Sequence, residues 1–424
     1  IIAQAQKLAA EAFGADPTFF FIQGTSGAIM TMILTVVGPG DKIIVPRNVH
    51  KSIMSAIVFA GAIPIFIHPE VDSDLGISHG ISPESVEKAL LDYPDAKAVL
   101  VINPTYFGFV ADLQKIVQIV HNYNIPVIVD EAHGVHIKFH DDLPLSAMQV
   151  GADMAATSVH KLGGSMTGSS VLNMKEGLVS AKRVQSILSM LTTTSTSYPL
   201  LASLDTARRQ LAINGHNLLD EAIRLAKDTR KRINSIPHLS CVGREKLGSS
   251  ATFDMDPTKL LISVKDLGIT GHEAEEWLRQ NANVEVELSD LYNILCIVTI
   301  ADTKKEMNLL VNALTRLSKY FDSEAIVTSV KVTIPEIPAL AMTPRDAFYA
   351  ATESIPLSES EGYICAEFIM VYPPGIPIFI PGEIITKENI EYIQMNIQAG
   401  LPVQGPEDNT LKNIRVIKER KAIY

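Results

Sequence analysis

The chain has 424 residues, a formal net charge of −11 and an isoelectric point near 5.5, a balance that argues against a general nucleic-acid surface. It is long enough for two or three domains, and 47% of it is hydrophobic, with a mean hydropathy of +0.19. Its apolar runs, such as "LYNILCIVTI" at 291–300, fall far short of the ~20 residues of a membrane helix, so no membrane partner is expected. The apolar excess reads instead as parallel strands covered on both faces.

In chain order, "IIAQAQKLAAEAFGAD" opens inside a helical pattern, and its first residue is not Met, so the native start is expected upstream. Short apolar runs then alternate with amphipathic stretches. The runs are "TFFFIQ" (18–23), "KIIVP" (42–46), "IPIFIH" (63–68), "KAVLVIN" (97–103), "PVIVDEA" (126–132) and "DMAATSV" (153–159). Between them lie "HKSIMSAIVFAG", "SPESVEKALLDY" and "LQKIVQIVHNYN"; the second has Ser82 as N-cap, Pro83 at N1 and Glu84 in the first turn. Alternation of this kind predicts a mainly parallel, doubly wound sheet that binds ligands beyond the carboxyl ends of its strands.

A helix is expected from about 204 to 235, followed by a smaller region with strands at "KLLISVKDL", "VEVELSD" and "NILCIVTI". "VTSVKVTIPEIPALAMTPRDAF" (327–348) reads as a linker into a Pro- and Gly-rich unit containing "YPPGIPIFIPGE" (372–383). Three scattered cysteines, Cys241, Cys296 and Cys365, fit no metal spacing and suit a reducing, cytoplasmic setting.

Three short stretches carry chemistry. "QGTSGA" (23–28) follows a strand and opens a helical run, where small residues and hydroxyls expose N–H groups to an anion; alone, it is equally an ordinary turn. "VIVDEAHGVH" (127–136) puts Asp130 and Glu131 at the end of an apolar strand, so both carboxylates are expected at the ligand edge. Its "DEAH" is also a helicase label, but no phosphate loop or basic surface accompanies it. His133, His136 and His140 invite a metal, yet their spacing is weak and none is expected. "ATSVHKLGGSMTG" (156–168) places Lys161 after a strand and before Gly163 and Gly164, where desolvation would lower its pKa and make it nucleophilic. A phosphate cradle, an acid after an apolar strand and a lysine about thirty residues later together suggest pyridoxal 5′-phosphate.

"QGTSGA", "RNVHKS", "NPTYFG", "VDEAHG", "SVHKLGGS" and "YPPGIP…PGE" stand in an order that resembles the arginine/lysine/ornithine decarboxylase family, most closely its shorter bacterial arginine decarboxylases. The likeness spans essentially the whole chain, and what is expected upstream of it is the family's N-terminal segment. It implies an α/β fold-type-I architecture. Residues 1–215 would form a pyridoxal-phosphate-binding large domain with a mainly parallel seven-stranded sheet, 216–326 a smaller α/β domain, and 327–424 a C-terminal α+β domain.

The resemblance also implies roles. Lys161 would carry the cofactor and Asp130 would partner its ring nitrogen. His50 would stack on the ring and His133 lie near its hydroxyl. Gly24, Thr25, Ser26, Ser158 and His160 would hold the phosphate. Residues 192–197 ("TTTSTS") would enter the neighbouring site of a homodimer.

The implied reaction is decarboxylation of a basic L-amino acid, with arginine ahead of lysine or ornithine. Thr105, Glu367, Glu383, Asp290 and Glu287 are candidates for the substrate side. An aminotransferase or a Cα–Cβ lyase would need an arginine clamp, and Arg208 and Arg345 sit in no matching motif. A catalytically dead relative would not be expected to keep Lys161, Asp130 and the phosphate residues together.

Overall fold

The computed structural model describes residues 1–321, 335–371, 376–398 and 403–421. Residues 327–334 of the expected linker and 372–375 of the Pro-rich stretch lie outside them. The large sheet has seven strands in the order Thr18–Phe21, Ser170–Met174, Met154–Thr157, Val127–Asp130, Ala98–Ile102, Lys42–Pro46, Ile63–Ile67. Ser170–Met174 alone runs opposite to the other six strands.

The near-uniform apolarity of the inner strands has a simple cause. Successive side chains point to opposite faces, and both faces are covered. Ile43, Val45, Leu100 and Ile128 enter one core with the helices Gly24–Val36, Lys51–Ala60 and Ala181–Leu191. Ile44, Val99, Val101, Val127 and Val129 enter the other, with Pro83–Asp92 and Leu113–Asn122. The start of Pro83–Asp92 follows from the sequence: Ser82 Oγ accepts from the Ser85 N–H at 3.1 Å, with Pro83 in the first turn.

Helix Tyr198–Ile233 runs 36 residues and serves two cores. Leu204, Ala207 and Leu211 pack beside the large sheet, whereas Ala222, Leu225, Ala226 and Ile233 pack beside a smaller one. That sheet has four antiparallel strands, in the order Ser240–Cys241, Lys259–Ser263, Asn293–Ile297 and Leu288–Ser289. Its helices Gly271–Ala282 and Lys304–Tyr320 each begin with a capping box, Thr270/Glu273 and Thr303/Glu306. The C-terminal region builds two three-stranded sheets and the helix Lys387–Gln398 around its own core.

Among the described residues, no helix is long and apolar enough to cross a membrane.

Candidate active site

The chain brings four separate segments to the carboxyl edge of the large sheet. Strand Val127–Asp130 ends in Asp130, and Met154–Thr157 runs into Ser158 and the short helix Val159–Leu162, which carries Lys161. Lys42–Pro46 leads to His50, the N-cap of Lys51–Ala60. Ala98–Ile102 leads into the loop containing Thr105 and Tyr106.

Lys161 Nζ lies 2.8 Å from His133 Nε2 and 5.6 Å from the centre of the Tyr106 ring. The Tyr106 and His133 rings are 4.3 Å apart, and Tyr106 donates to Glu287 Oε1 at 2.8 Å. Desolvation lowers the pKa of Lys161, against the opposing charges of Asp130 and Glu287. Burial also holds His133 well below the usual imidazole range, reinforced by the charges of Lys259 and Lys161. His50 is lowered by burial and by the Lys161 and Lys51 charges; its Nδ1 lies 2.8 Å from Ser52 Oγ.

Asp130 is buried, and burial raises its carboxyl to about 6. Among the described residues its carboxylate accepts one hydrogen bond, from the Ala132 N–H at 3.1 Å. Glu131, expected beside it at the ligand edge, turns inward instead. It accepts from Ala147 N at 2.7 Å and Thr157 Oγ1 at 3.2 Å, tying the strand end to the loop behind it. The strand ends one residue earlier than the carboxylate pair suggested.

On the phosphate side, Thr25 Oγ1 and Ser158 Oγ share a hydrogen bond at the start of Gly24–Val36, with Ser26 exposed beside them. Gly24 and Gly164 adopt φ of +78° and +83°, and a Cβ on either would meet no atom within 4 Å. His160 donates from Nδ1 to the Ser169 carbonyl at 2.8 Å.

These residues fit a pyridoxal phosphate group on structural grounds. A desolvated carboxylate with one donor awaits a cation. His133 Nδ1 is buried without a partner among the described residues. Glycines leave open space beside two hydroxyls at a helix start, where an anion is favoured.

Three proposed substrate acids are committed elsewhere. Glu383 accepts from Arg47 at 2.6 and 2.8 Å and from the Ile380 N–H, in a joint where both side chains are 1% exposed. Glu367 accepts from Glu407 N at 2.9 Å and Arg415 N at 2.8 Å, within the C-terminal sheets. Asp290 closes a turn onto the N–H groups of Tyr292 and Asn293, both at 2.8 Å. Thr105 likewise closes its own loop, Oγ1 accepting from Phe109 N at 3.1 Å. Glu287 is the acid among the five candidates whose charge reaches Lys161. Arg208 pairs with Asp205, and Arg345 donates to the Phe59 carbonyl at 3.0 Å.

The three histidines separate completely. His133 faces Lys161, His136 Nε2 is 2.9 Å from Asp256, and His140 Nε2 is 2.9 Å from Asp220. His140, His216 and Asp220 are grouped as metal ligands could be. However, His140 Nδ1 accepts from the Asp142 N–H at 3.0 Å, so Nε2 carries the proton and offers no lone pair. Tyr106, Asp256 and Lys259 were not singled out in the sequence. Tyr106 stands inside a quoted motif, and Lys259 is hidden at the head of the apolar run "KLLIS".

The chain matches the Orn/Lys/Arg decarboxylase major domain over residues 1–306 and the Orn/Lys/Arg decarboxylase C-terminal domain over residues 328–406. It belongs to the Orn/Lys/Arg decarboxylase family. This is a family of amino-acid decarboxylases and implies pyridoxal phosphate. The arginine decarboxylase of Bacillus subtilis is 68% identical over 424 residues, covering all of this chain and 86% of that protein. The arginine decarboxylase of Bacillus anthracis is 67% identical over the same span, with the same coverage. The lysine decarboxylase LdcF of Francisella novicida shares the fold, with a TM-score of 0.83 at 23% identity over 98% of this chain and 71% of that one.

Proposed function

We propose that this chain decarboxylates L-arginine to agmatine and carbon dioxide, with pyridoxal phosphate at Lys161, in the cytoplasm and in the service of polyamine synthesis. The observation that carries the chemistry is Lys161, desolvated and 2.8 Å from a neutral His133, with buried Asp130 at the adjacent strand end. Support for arginine comes from the full-length likeness to proteins named arginine decarboxylase. In this reading residues 1–215 bind the cofactor, 216–326 form the small domain and 327–424 the C-terminal domain.

Lys161 would hold the cofactor, and Asp130 would keep its ring nitrogen protonated. Gly24, Thr25, Ser26, Ser158 and His160 would take the phosphate, while His50 would lie against the ring and His133 beside its hydroxyl. When bound, the cofactor supplies an electron sink for the pair left by the breaking Cα–carboxylate bond.

The protein's own share is protons, charge and orientation. A lysine of lowered pKa is more often a free amine, the form that acts as a nucleophile. A carboxylate out of water binds a cation more strongly than an exposed one. Decarboxylation consumes a proton at Cα, and Lys161 Nζ or a neighbouring imidazole would deliver it. Glu287 would face the distal cation of the substrate, for which a guanidinium offers two parallel donors.

The active unit in this reading is a homodimer or a multiple of it. Residues 192–197, largely exposed between the helices Ala181–Leu191 and Tyr198–Ile233, would complete the neighbour's site. Light scattering alongside activity on dilution tests this; a fully active monomer contradicts it. The substrate is tested by carbon dioxide release from arginine, lysine and ornithine side by side. Arginine should lead by about tenfold or more, and a lead for lysine would overturn the arginine assignment while leaving the decarboxylase.

A further inference from the structure

His50 is the N-cap of the helix Lys51–Ala60, a place where Ser, Thr, Asp and Asn are the favoured residues. It takes the part of such a residue with its ring. The first N–H groups of a helix have no carbonyl of their own to reach, and that of Ser52 donates to His50 Nδ1 at 3.2 Å. The Ser52 hydroxyl lies 2.8 Å from the same nitrogen and has no other hydrogen-bond partner among the described residues. Ser52 is buried, whereas His50 retains exposed surface, and its Nε2 has no hydrogen-bond partner among the described residues.

These two contacts fix more than the direction of the ring. A backbone N–H can only donate, so Nδ1 is the unprotonated nitrogen that accepts, and the Ser52 hydroxyl donates to it as well. In the neutral imidazole the proton then sits on Nε2, the nitrogen left open. Protonating Nδ1 would set its N–H against that of Ser52, beside the positive end of the helix. In keeping with this, His50 lies below the ordinary imidazole range, through its partial withdrawal from water and the charges of Lys161 and Lys51. His133 is the further titratable group within reach of its charge.

We propose that Ser52 is a positioning residue for the decarboxylation: through its N–H and its hydroxyl it holds the His50 ring in one orientation and one tautomer, with the proton on Nε2, so that the ring offers the site a hydrogen-bond donor and not a base. A ring held neutral can lie against a cofactor ring whose nitrogen is protonated without repelling it, which is the place the decarboxylase reading gives His50. A neutral imidazole could release its Nε2 proton only by becoming an imidazolate, so His50 is not the group that protonates Cα. The role rests on the decarboxylase reading, but the ring itself can be observed without turnover.

The test is nitrogen NMR of 15N-histidine-labelled, cofactor-loaded enzyme at neutral pH, with His50 identified among the 11 histidines by the signals lost in His50→Gln. The wild type should show a neutral ring with Nδ1 bare and Nε2 protonated. Ser52→Ala removes one of the two donors. Both tautomers should then appear, and turnover should fall roughly fivefold, the effect of one hydrogen bond, with KM little changed. Ser52→Asp puts an acceptor where the donor was, so the proton should move to Nδ1 or the ring should become charged, and turnover should fall about tenfold or more. An acid in the first turn stabilises a helix, so a merely structural Ser52 predicts no such loss. Full turnover or an unshifted ring in Ser52→Asp overturns the proposal, as does an unchanged His50 spectrum in folded Ser52→Ala. If neither variant folds, the wild type decides, and Nδ1 protonated or a charged ring at neutral pH overturns the proposal. Wild-type enzyme with the stated His50 pattern but no release of carbon dioxide would refute the decarboxylase reading and leave the hold of Ser52 on the ring standing.

Discussion

Asp130 and Glu383 are both buried carboxylates, and the fold treats them in opposite ways. Glu383 receives two guanidinium nitrogens of Arg47 and a backbone N–H, and Arg47 also donates to the carbonyls of Pro377 and Ile378. Asp130 receives the Ala132 N–H and feels the charge of Lys161. Burial raises both carboxyls, but in Glu383 the Arg47 guanidinium opposes the rise, whereas Asp130 reaches about 6. The saturated acid joins the strand end at Arg47 to the C-terminal region. The unsaturated acid is prepared for a cation that a ligand must bring. Glu131 falls on the structural side of this division, for its two oxygens are satisfied by Ala147 and Thr157. Buried polar atoms without a partner also occur away from the site, on Ser146, Ser170 and Thr229 for instance, so what sets Asp130 and His133 apart is that each also feels the charge of Lys161.

The contrast can be broken by experiment. Glu383→Ala leaves a buried guanidinium without its partner and should cost about 3–5 kcal/mol of stability, measured by denaturant unfolding. Replacing both partners, Arg47→Met with Glu383→Leu, should recover most of that loss. A small cost for the single change would mean the joint is not held by this pair.

Asp130→Asn should act on function instead. Turnover should drop about 10²–10³-fold while cofactor absorbance persists, because a charge-assisted contact that matters most in the transition state is lost. Stability of the cofactor-free protein should move the other way. The carboxyl is raised above its unfolded value, so it favours folding when protonated, and stability falls as pH rises from the ordinary carboxyl value of 3.8 through about 6. The Asn variant, free of that loss, should therefore melt a few degrees higher than the parent above about pH 6 and alike at acid pH. Calorimetry across this range checks it, and a lower melting point at neutral pH would mean that Asp130 is structural.

Glu287→Gln should have the smallest effect of the three. KM for arginine should rise about tenfold with kcat nearly unchanged, since a distal contact contributes to ground state and transition state alike. Binding of agmatine should weaken in parallel. If only kcat falls, Glu287 works through Tyr106 and His133 rather than on the substrate cation.

The sequence carried the large sheet well, because local patterns specify it. "KIIVP" is the strand Lys42–Pro46, and "SPESVEKALLDY" is the helix Pro83–Asp92 with its Ser82 cap. The helix expected from about 204 starts at Tyr198, directly after the exposed "TTTSTS" segment. What the sequence could not carry was partnership across distance. Arg47 and Glu383 are 336 residues apart, and nothing local marks them as a pair. For the same reason nothing in the sequence shows which donors hold Glu367, Glu383 and Asp290. Lys259 was hidden because a strand pattern tolerates one polar residue at its end without distinguishing a buried ammonium from a solvated one. The residues around Lys161 were legible only as a combination, since small residues, an acid after a strand and a lysine before glycines are each commonplace.

The most direct measurement is borohydride reduction of the cofactor-loaded enzyme, followed by proteolysis and mass mapping of the labelled peptide. The label should fall on Lys161, within the stretch "SVHKLGGS". A label on Lys259, or on any other lysine, would contradict the placement of the reaction at the strand ends around Asp130 and His133.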